Sequence, residues 1–146
     1  MTATSLPPAP LPEPTGDSRP YWAGLREKRL RFQQCANCGK VRHYPRPLCD
    51  VCYTREVIWI AARGEGVVHS WTVAHHAFHP AFKADLPYAL VTVDLVEGVR
   101  MVAPFRGDAA ALCLGLPVAV IFEGRDSEVI LPAFIATKDR CPRGQQ

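Results

Sequence analysis

Two Cys-x-x-Cys pairs constrain this chain more than any other feature. They are Cys35-Ala36-Asn37-Cys38-Gly39 and, ten residues on, Cys49-Asp50-Val51-Cys52. Two such knuckles at short separation can converge on one tetrahedral ion. Backbone amides in each turn hydrogen-bond the thiolate sulfurs and offset their charge. Gly39 suits a turn that needs a positive φ. Four thiolates close the coordination shell of Zn²⁺ and leave no open position, so the spacing predicts a structural metal site. Two disulfides, or a redox Cys-x-x-Cys, are the competing readings. A redox motif needs a helix N-terminus and a partner fold, and here there are two motifs. The expected metal ligands are Cys35, Cys38, Cys49 and Cys52, holding one structural zinc, or iron in a rubredoxin-like variant. His43, between the knuckles, is not needed in a shell that four cysteines fill.

The other two cysteines have no cysteine near them in sequence. Cys113 sits in the apolar stretch Ala109–Leu114 and reads as a buried, inert thiol. Cys141 falls in a short polar end segment and reads as unstructured. Six cysteines would suggest a disulfide scaffold only with an export signal. The N-terminus has neither a basic region nor an apolar one of that kind, which points to the cytoplasm. Apolar runs such as Val118–Phe122 are far too short to span a bilayer.

Charge and proline divide the 146 residues. The net charge of +3 breaks down as −2 over residues 1–18, +7 over 19–55 and −2 over 56–146. Six of the 14 prolines lie in the first 20 residues, which favours extended, solvated chain there. The expected organisation is a Pro-rich disordered tail over 1–19, a helix and zinc ribbon over 20–60, an OB-fold barrel over 61–137 and a flexible tail over 138–146. Tyr21 to Leu30 reads as a short amphipathic helix. Ser18 caps it, Pro20 sits in its first turn, and Trp22, Leu25, Arg26 and Leu30 form its stripe. Too short to persist alone, it must pack on this chain or another. The inter-knuckle linker, residues 40–48, is basic with interleaved aromatics. It reads as a solvated loop offsetting the thiolates rather than a nucleic-acid contact.

Beyond residue 56 the periodicity is that of strands. Val57–Ala61 is short and apolar. In Val67–His76, alternate residues Val67, His69, Trp71, Val73 and His75 share one face. Tyr88–Val96 alternates, Glu97-Gly98 turns, and Val99–Phe105 returns. A helical piece over Asp108–Leu114 precedes Pro117–Glu123 and Val129–Ala136. From Val67 on, three strands, a helical insert and a closing pair match the order of a five-stranded OB-fold barrel. The whole is mainly β. Four of the five histidines crowd between His69 and His79, but adjacent His75 and His76 would face opposite ways and Pro80 ends any helix through His79. The loop Ala77–Pro87, with Phe78, Phe82 and Lys83, is either a contact surface or a cap on the barrel.

The ordered set of motifs resembles the domain-of-unknown-function 35 family, zinc-ribbon plus OB-fold proteins associated with acyl-CoA enzymes. Tyr21-Trp22, the Cys35 knuckle, Pro45-Arg46-Pro47 before the Cys49 knuckle, and Trp59 carry it. So do Gly64-Glu65-Gly66, Ser70-Trp71-Thr72, Leu86-Pro87-Tyr88, Glu97-Gly98-Val99 and Gly115-Leu116-Pro117-Val118. The resemblance covers about residues 20–136. It implies a non-catalytic accessory subunit that binds a thiolase-like enzyme, or a hotdog-fold hydratase, in degradation of CoA thioesters of sterol or aromatic origin. The partner would supply the reacting groups, and the small subunit would stabilise it and help shape its acyl-CoA channel. No G-x-S-x-G, Walker or dinucleotide fingerprint stands in the sequence. The alternatives are a nucleic-acid-binding module, disfavoured by the acidic barrel half, and a free-standing acyl-CoA binder.

Overall fold

A computed structural model describes residues 8–124, 129–138 and 141. The chain enters through a 3-10 turn at Gly16–Ser18 and a single α-helix, α1 (Arg19–Arg26). This helix is shorter than the expected Tyr21–Leu30. Its last amides double back on Ala23, Gly24 and Leu25, and Lys28 takes a positive φ of 56°. Leu30 therefore reaches the core from the following segment and not from the helix stripe. Ser18 sits at the N-cap without a side-chain cap bond. Pro20 occupies the first turn as expected, where its missing N–H costs nothing.

Three antiparallel strands form the ribbon. β1 (Arg31–Cys35) is central, flanked by β2 (Val41–Arg42) and β3 (Val57–Ala61). β1 pairs with β3 over its full length, from Arg31 opposite Ala61 to Cys35 opposite Val57. β1 thus delivers Cys35 to one end of the ribbon and Phe32 to the molecular core.

Five more strands close a barrel in the order β4-β5-β6-β8-β7. They are β4 (Glu65–Ala74), β5 (Tyr88–Leu95), β6 (Arg100–Phe105), β7 (Pro117–Gly124) and β8 (Ile130–Ala136). The expected insert is a 3-10 turn at Ala109–Ala111 between β6 and β7, capped by Asp108, whose Oδ1 accepts from the Ala110 amide at 2.9 Å. The fold is the expected mainly β arrangement of helix, ribbon and five-stranded OB barrel.

β5 alternates as its sequence predicts, with Ala89, Val91, Val93 and Leu95 buried. β4 does not keep the single face expected for Val67, His69, Trp71, Val73 and His75. A bulge between Val68 and Ser70 shifts its register. Before the bulge Val68 points inward, and Val67 and His69 face solvent. After it, Trp71 and Val73 stand opposite Val91 and Ala89; Val73 packs against the core, while Trp71 stays 38% exposed. One extra residue reverses the pleat of everything that follows.

A single core joins the parts. Tyr21, Leu25, Leu30 and Phe32 from helix and ribbon are contiguous with Val68, Val91, Met101, Leu116 and Phe134 from the barrel. Leu25 and Phe134 are fully buried. The helix's apolar side is therefore covered by this chain itself. Leu11, Pro12 and Pro14 lie beside Trp22, Arg26, Val129 and Ile130 around a cavity of about 220 Å³.

Candidate metal centre

The two knuckles are built alike, each from two backbone hydrogen bonds. Gly39 N–H donates to the Cys35 carbonyl at 3.0 Å, and Tyr53 N–H donates to the Cys49 carbonyl at 3.0 Å. Cys35 N–H donates to the Lys40 carbonyl at 2.9 Å, and Cys49 N–H to the Thr54 carbonyl at 3.0 Å. Both turns need a left-handed residue at the same place. The first uses Gly39, at φ 75°, as expected. The second uses Tyr53, at φ 59°, which no glycine in the sequence announced. In the first knuckle the Cys38 amide also points at Cys35 Sγ, at 3.4 Å.

The four sulfurs converge. Sγ atoms of Cys35, Cys38, Cys49 and Cys52 all lie within 4.8 Å of one another. Cys35 and Cys52 are 3.4 Å apart, and Cys38 and Cys49 3.6 Å. A Zn–S bond of about 2.3 Å implies sulfur–sulfur edges of about 3.8 Å in a tetrahedron. The cluster is the size of a zinc shell and too open for disulfides.

Its acid–base character points the same way. The Cys52 thiol is pulled down to about 6, first by the Asn37 side chain and then by the Thr54 amide. Cys49 is also lowered, by the amides of Cys52 and Val51. Cys38 moves up to about 12. Its backbone bond at Lys40 lowers it, but burial and the three neighbouring thiols outweigh that. Four crowded sulfurs cannot all ionise against one another, and a central dication removes the conflict.

The linker between the knuckles is a solvated loop only in part: Lys40, Tyr44, Arg46, Pro47 and Leu48 are exposed, but Arg42 and His43 turn inward. Arg42 is 6% exposed and donates from Nε to Gln33 Oε1 at 2.8 Å. The same oxygen accepts from the Arg46 amide at 2.9 Å. Gln33, itself buried, thus pins the linker to β1. His43 is turned inward among the rings of Tyr21, Phe32 and Tyr44, away from the sulfurs. Burial lowers its pKa to about 4. Lys40 and Arg46 of this stretch are exposed, and Lys40 pairs with Asp50 at 2.6 Å. Gln33 and Asn37 are the supporting residues that sequence reasoning passed over. An ordinary glutamine beside a knuckle gives no signal until the linker folds over it.

Among the described residues the metal-ligand geometry is confined to these cysteines, and the histidines do not gather. His69 pairs with Asp94 at 3.2 Å on the barrel surface, where Arg100 also binds Asp94 at 2.6 Å. His79 accepts from the Ala81 amide at 3.3 Å and caps a 3-10 turn, Pro80–Asp85. Both readings of that loop apply, to different rings. Phe78 is 91% exposed, whereas Phe82 folds back beside Tyr88, Leu90 and Pro104. Cys113 and Cys141 overturn their reading as isolated thiols, because they form a disulfide. Folding brings them together across 28 residues, which their neighbours in sequence did not reveal.

Comparison with known proteins agrees with this architecture. Residues 22–57 match the family description "ChsH2, rubredoxin-like zinc ribbon domain", and residues 59–123 match "ChsH2, C-terminal OB-fold domain". A solved structure titled "Ltp2-ChsH2(DUF35) aldolase" contains a chain that superposes with a TM-score of 0.81 at 34% identity, covering 88% of this chain and 100% of that one. The chain belongs to the DUF35 family. Two curated relatives of this DUF35 chain are longer proteins. A "Probable enoyl-CoA hydratase alpha subunit" of Thermomonospora curvata is 36% identical over 86% of this chain and 39% of its own length. The "3-oxo-4,17-pregnadiene-20-carboxyl-CoA hydratase alpha subunit" of Mycobacterium tuberculosis is 31% identical over 76% and 35%. The chain thus spans little more than a third of either. Together, family and geometry establish a rubredoxin-like zinc ribbon with four cysteines positioned to bind one zinc ion. No helix among the described residues is long and apolar enough to cross a membrane.

Proposed function

We propose that this chain is a non-catalytic accessory subunit of a thiolase-like enzyme that breaks carbon–carbon bonds in acyl-CoA thioesters. In this reading it stabilises that partner and helps shape its acyl-CoA site, and the partner supplies the reacting groups. The supporting observation is the likeness to the whole DUF35 chain in the Ltp2-ChsH2(DUF35) aldolase. Cys35, Cys38, Cys49 and Cys52 are assigned as the ligands of one structural zinc. The ion's chemistry would be to offset part of the charge of four thiolates and hold the two knuckles of the ribbon together. We also place the chain in the cytoplasm, where such thiolates persist.

A second reading has the partner as a hotdog-fold hydratase, favoured by the two hydratase alpha subunits among the relatives. Co-expression with a thiolase-like protein and, separately, with a hotdog-fold hydratase from the same organism separates them. Co-elution with the thiolase-like protein, and loss of its cleavage activity when this chain is withdrawn, are the expected results. Separate elution with unchanged activity would refute the first reading. Co-elution with the hydratase alone would select the second.

A further inference from the structure

Cys113 and Cys141 are the only described cysteines outside the metal centre, and they are joined. Their placement is specific. Cys113 is half-buried in the turn between the 3-10 segment Ala109–Ala111 and β7, and Cys141 is exposed beyond the end of β8. Their Cα atoms are 6.1 Å apart, within the span that a disulfide bridges without moving the backbone. The bond therefore ties together the two ends of the β7–β8 hairpin.

That hairpin closes the barrel, and one of its seams is thin. β7 and β8 pair continuously, from Val118 opposite Ala136 to Gly124 opposite Ile130. By contrast β8 meets β6 at a single parallel bridge, Phe105 with Phe134. On the β4 side, β7 pairs over only Glu65–Val67. Around the disulfide, the closure depends on a few amides. Gly115 N–H donates to the Val68 carbonyl at 2.8 Å, Val68 N–H to the Leu116 carbonyl at 3.0 Å, and Thr137 N–H to the Pro117 carbonyl at 3.0 Å. A cross-link at this corner sits beside the short β4–β7 seam, where Val67 pairs with Pro117.

The same chain carries four cysteines positioned for zinc, which binds only reduced thiolates. A disulfide in a chain that keeps other thiols reduced is open to exchange, and Cys141, the exposed residue of the pair, is where an external thiol can attack.

We propose that Cys113 and Cys141 form a reversible thiol–disulfide pair that exchanges with low-molecular-weight disulfides and sets how tightly the β7–β8 hairpin closes the barrel. In the forward direction the Cys141 thiolate attacks a disulfide RSSR, forming a mixed disulfide and releasing one RS⁻. The Cys113 thiolate then attacks the Cys141 sulfur and releases the second. The protein gives up two protons and two electrons and gains one S–S bond, and RSSR becomes two RSH. Reduction runs the same steps backwards.

The test uses the full, zinc-loaded chain equilibrated in buffers of reduced and oxidised glutathione, acid-quenched, alkylated and mapped by mass spectrometry. Metal content is measured on the same samples, so loss of the zinc reading and loss of this one are distinguishable. The expected result is a linked Cys113–Cys141 peptide in oxidising buffer, two free thiols in reducing buffer, and zinc unchanged in both. Hydrogen exchange at Gly115, Leu116 and Thr137 should quicken about tenfold on reduction. Cys141→Ser should show the fast rate in either buffer. The proposal is overturned if both residues stay free thiols in oxidising buffer, or if excess dithiol reductant cannot open the link in the native protein. It is equally overturned if oxidation links either residue to a ribbon cysteine, or if exchange at those amides ignores the redox state.

Discussion

At residue scale, the ribbon is governed by side chains doing unlike jobs in like positions. Gly39 and Tyr53 occupy equivalent left-handed turns, but only glycine adopts that conformation without a Cβ clash. Gly39→Ala should therefore lower the unfolding temperature, at a cost of about 1 kcal/mol, and Tyr53→Gly should raise or preserve it. Thermal melts of the two variants check this; equal shifts of the same sign would contradict it. Cys52→Ser should reduce bound zinc from one equivalent to well below half, read by elemental analysis of the purified protein. His43 gives a pH signature. Its folded pKa, about 4, lies below the ordinary 6.5, so the native state holds a neutral ring that the unfolded state protonates. Stability should then be full above about pH 6.5 and fall as the pH drops toward 4, by up to about 3 kcal/mol. His43→Leu should flatten that slope in denaturant titrations taken across the range, leaving only the share that comes from thiolate protonation at the metal centre.

At the scale of elements, α1 shows how little a helix's own sequence decides. Eight residues cannot hold a helix in water. Tyr21 and Leu25 anchor it, and both are buried against β1 and the barrel. Leu25→Ala should cost about 2–5 kcal/mol, because the cavity would open at the junction of all three parts and not at a collapsible edge. Urea unfolding measures it, and a cost under about 1 kcal/mol would mean that the helix is dispensable to the core. The strands divide into legible and illegible cases. β5 and the Glu97-Gly98 turn follow from alternation and from a glycine at φ 80°, and both were readable. β4 was not, because a bulge leaves no mark in a sequence that alternates plausibly through it.

At the scale of the whole molecule, the basic stretch over 19–55 and the mildly acidic barrel suggested two units side by side. Their apolar residues instead form one core. Ribbon and barrel should consequently unfold together, in one transition that zinc removal shifts for both. Two transitions, followed separately by Trp fluorescence and by metal release, would count against that continuity. Closing a 28-residue span, the Cys113–Cys141 bond should add about 3.5 kcal/mol to the same transition. A comparison of unfolding midpoints for oxidised protein and the Cys113→Ser, Cys141→Ser double variant measures it.

The sequence by itself determined the metal centre, the order of strands and the family. The first two rest on local spacing: two residues between paired cysteines, alternation along a strand, glycine where φ is positive; the third rests on the resemblance that the ordered motifs carry. Tertiary structure alone decided which polar residues are structural and which cysteines meet. Arg42 and His43 look like surface charges until the linker folds onto Gln33 and the aromatic cluster. Cys113 and Cys141 have no common motif, and only closing the β7–β8 hairpin brings their sulfurs together. The physical reason is range. Backbone preference and thiolate geometry act over a few residues and are written in order along the chain, whereas burial and cross-linking act between segments whose proximity exists only once the barrel has closed.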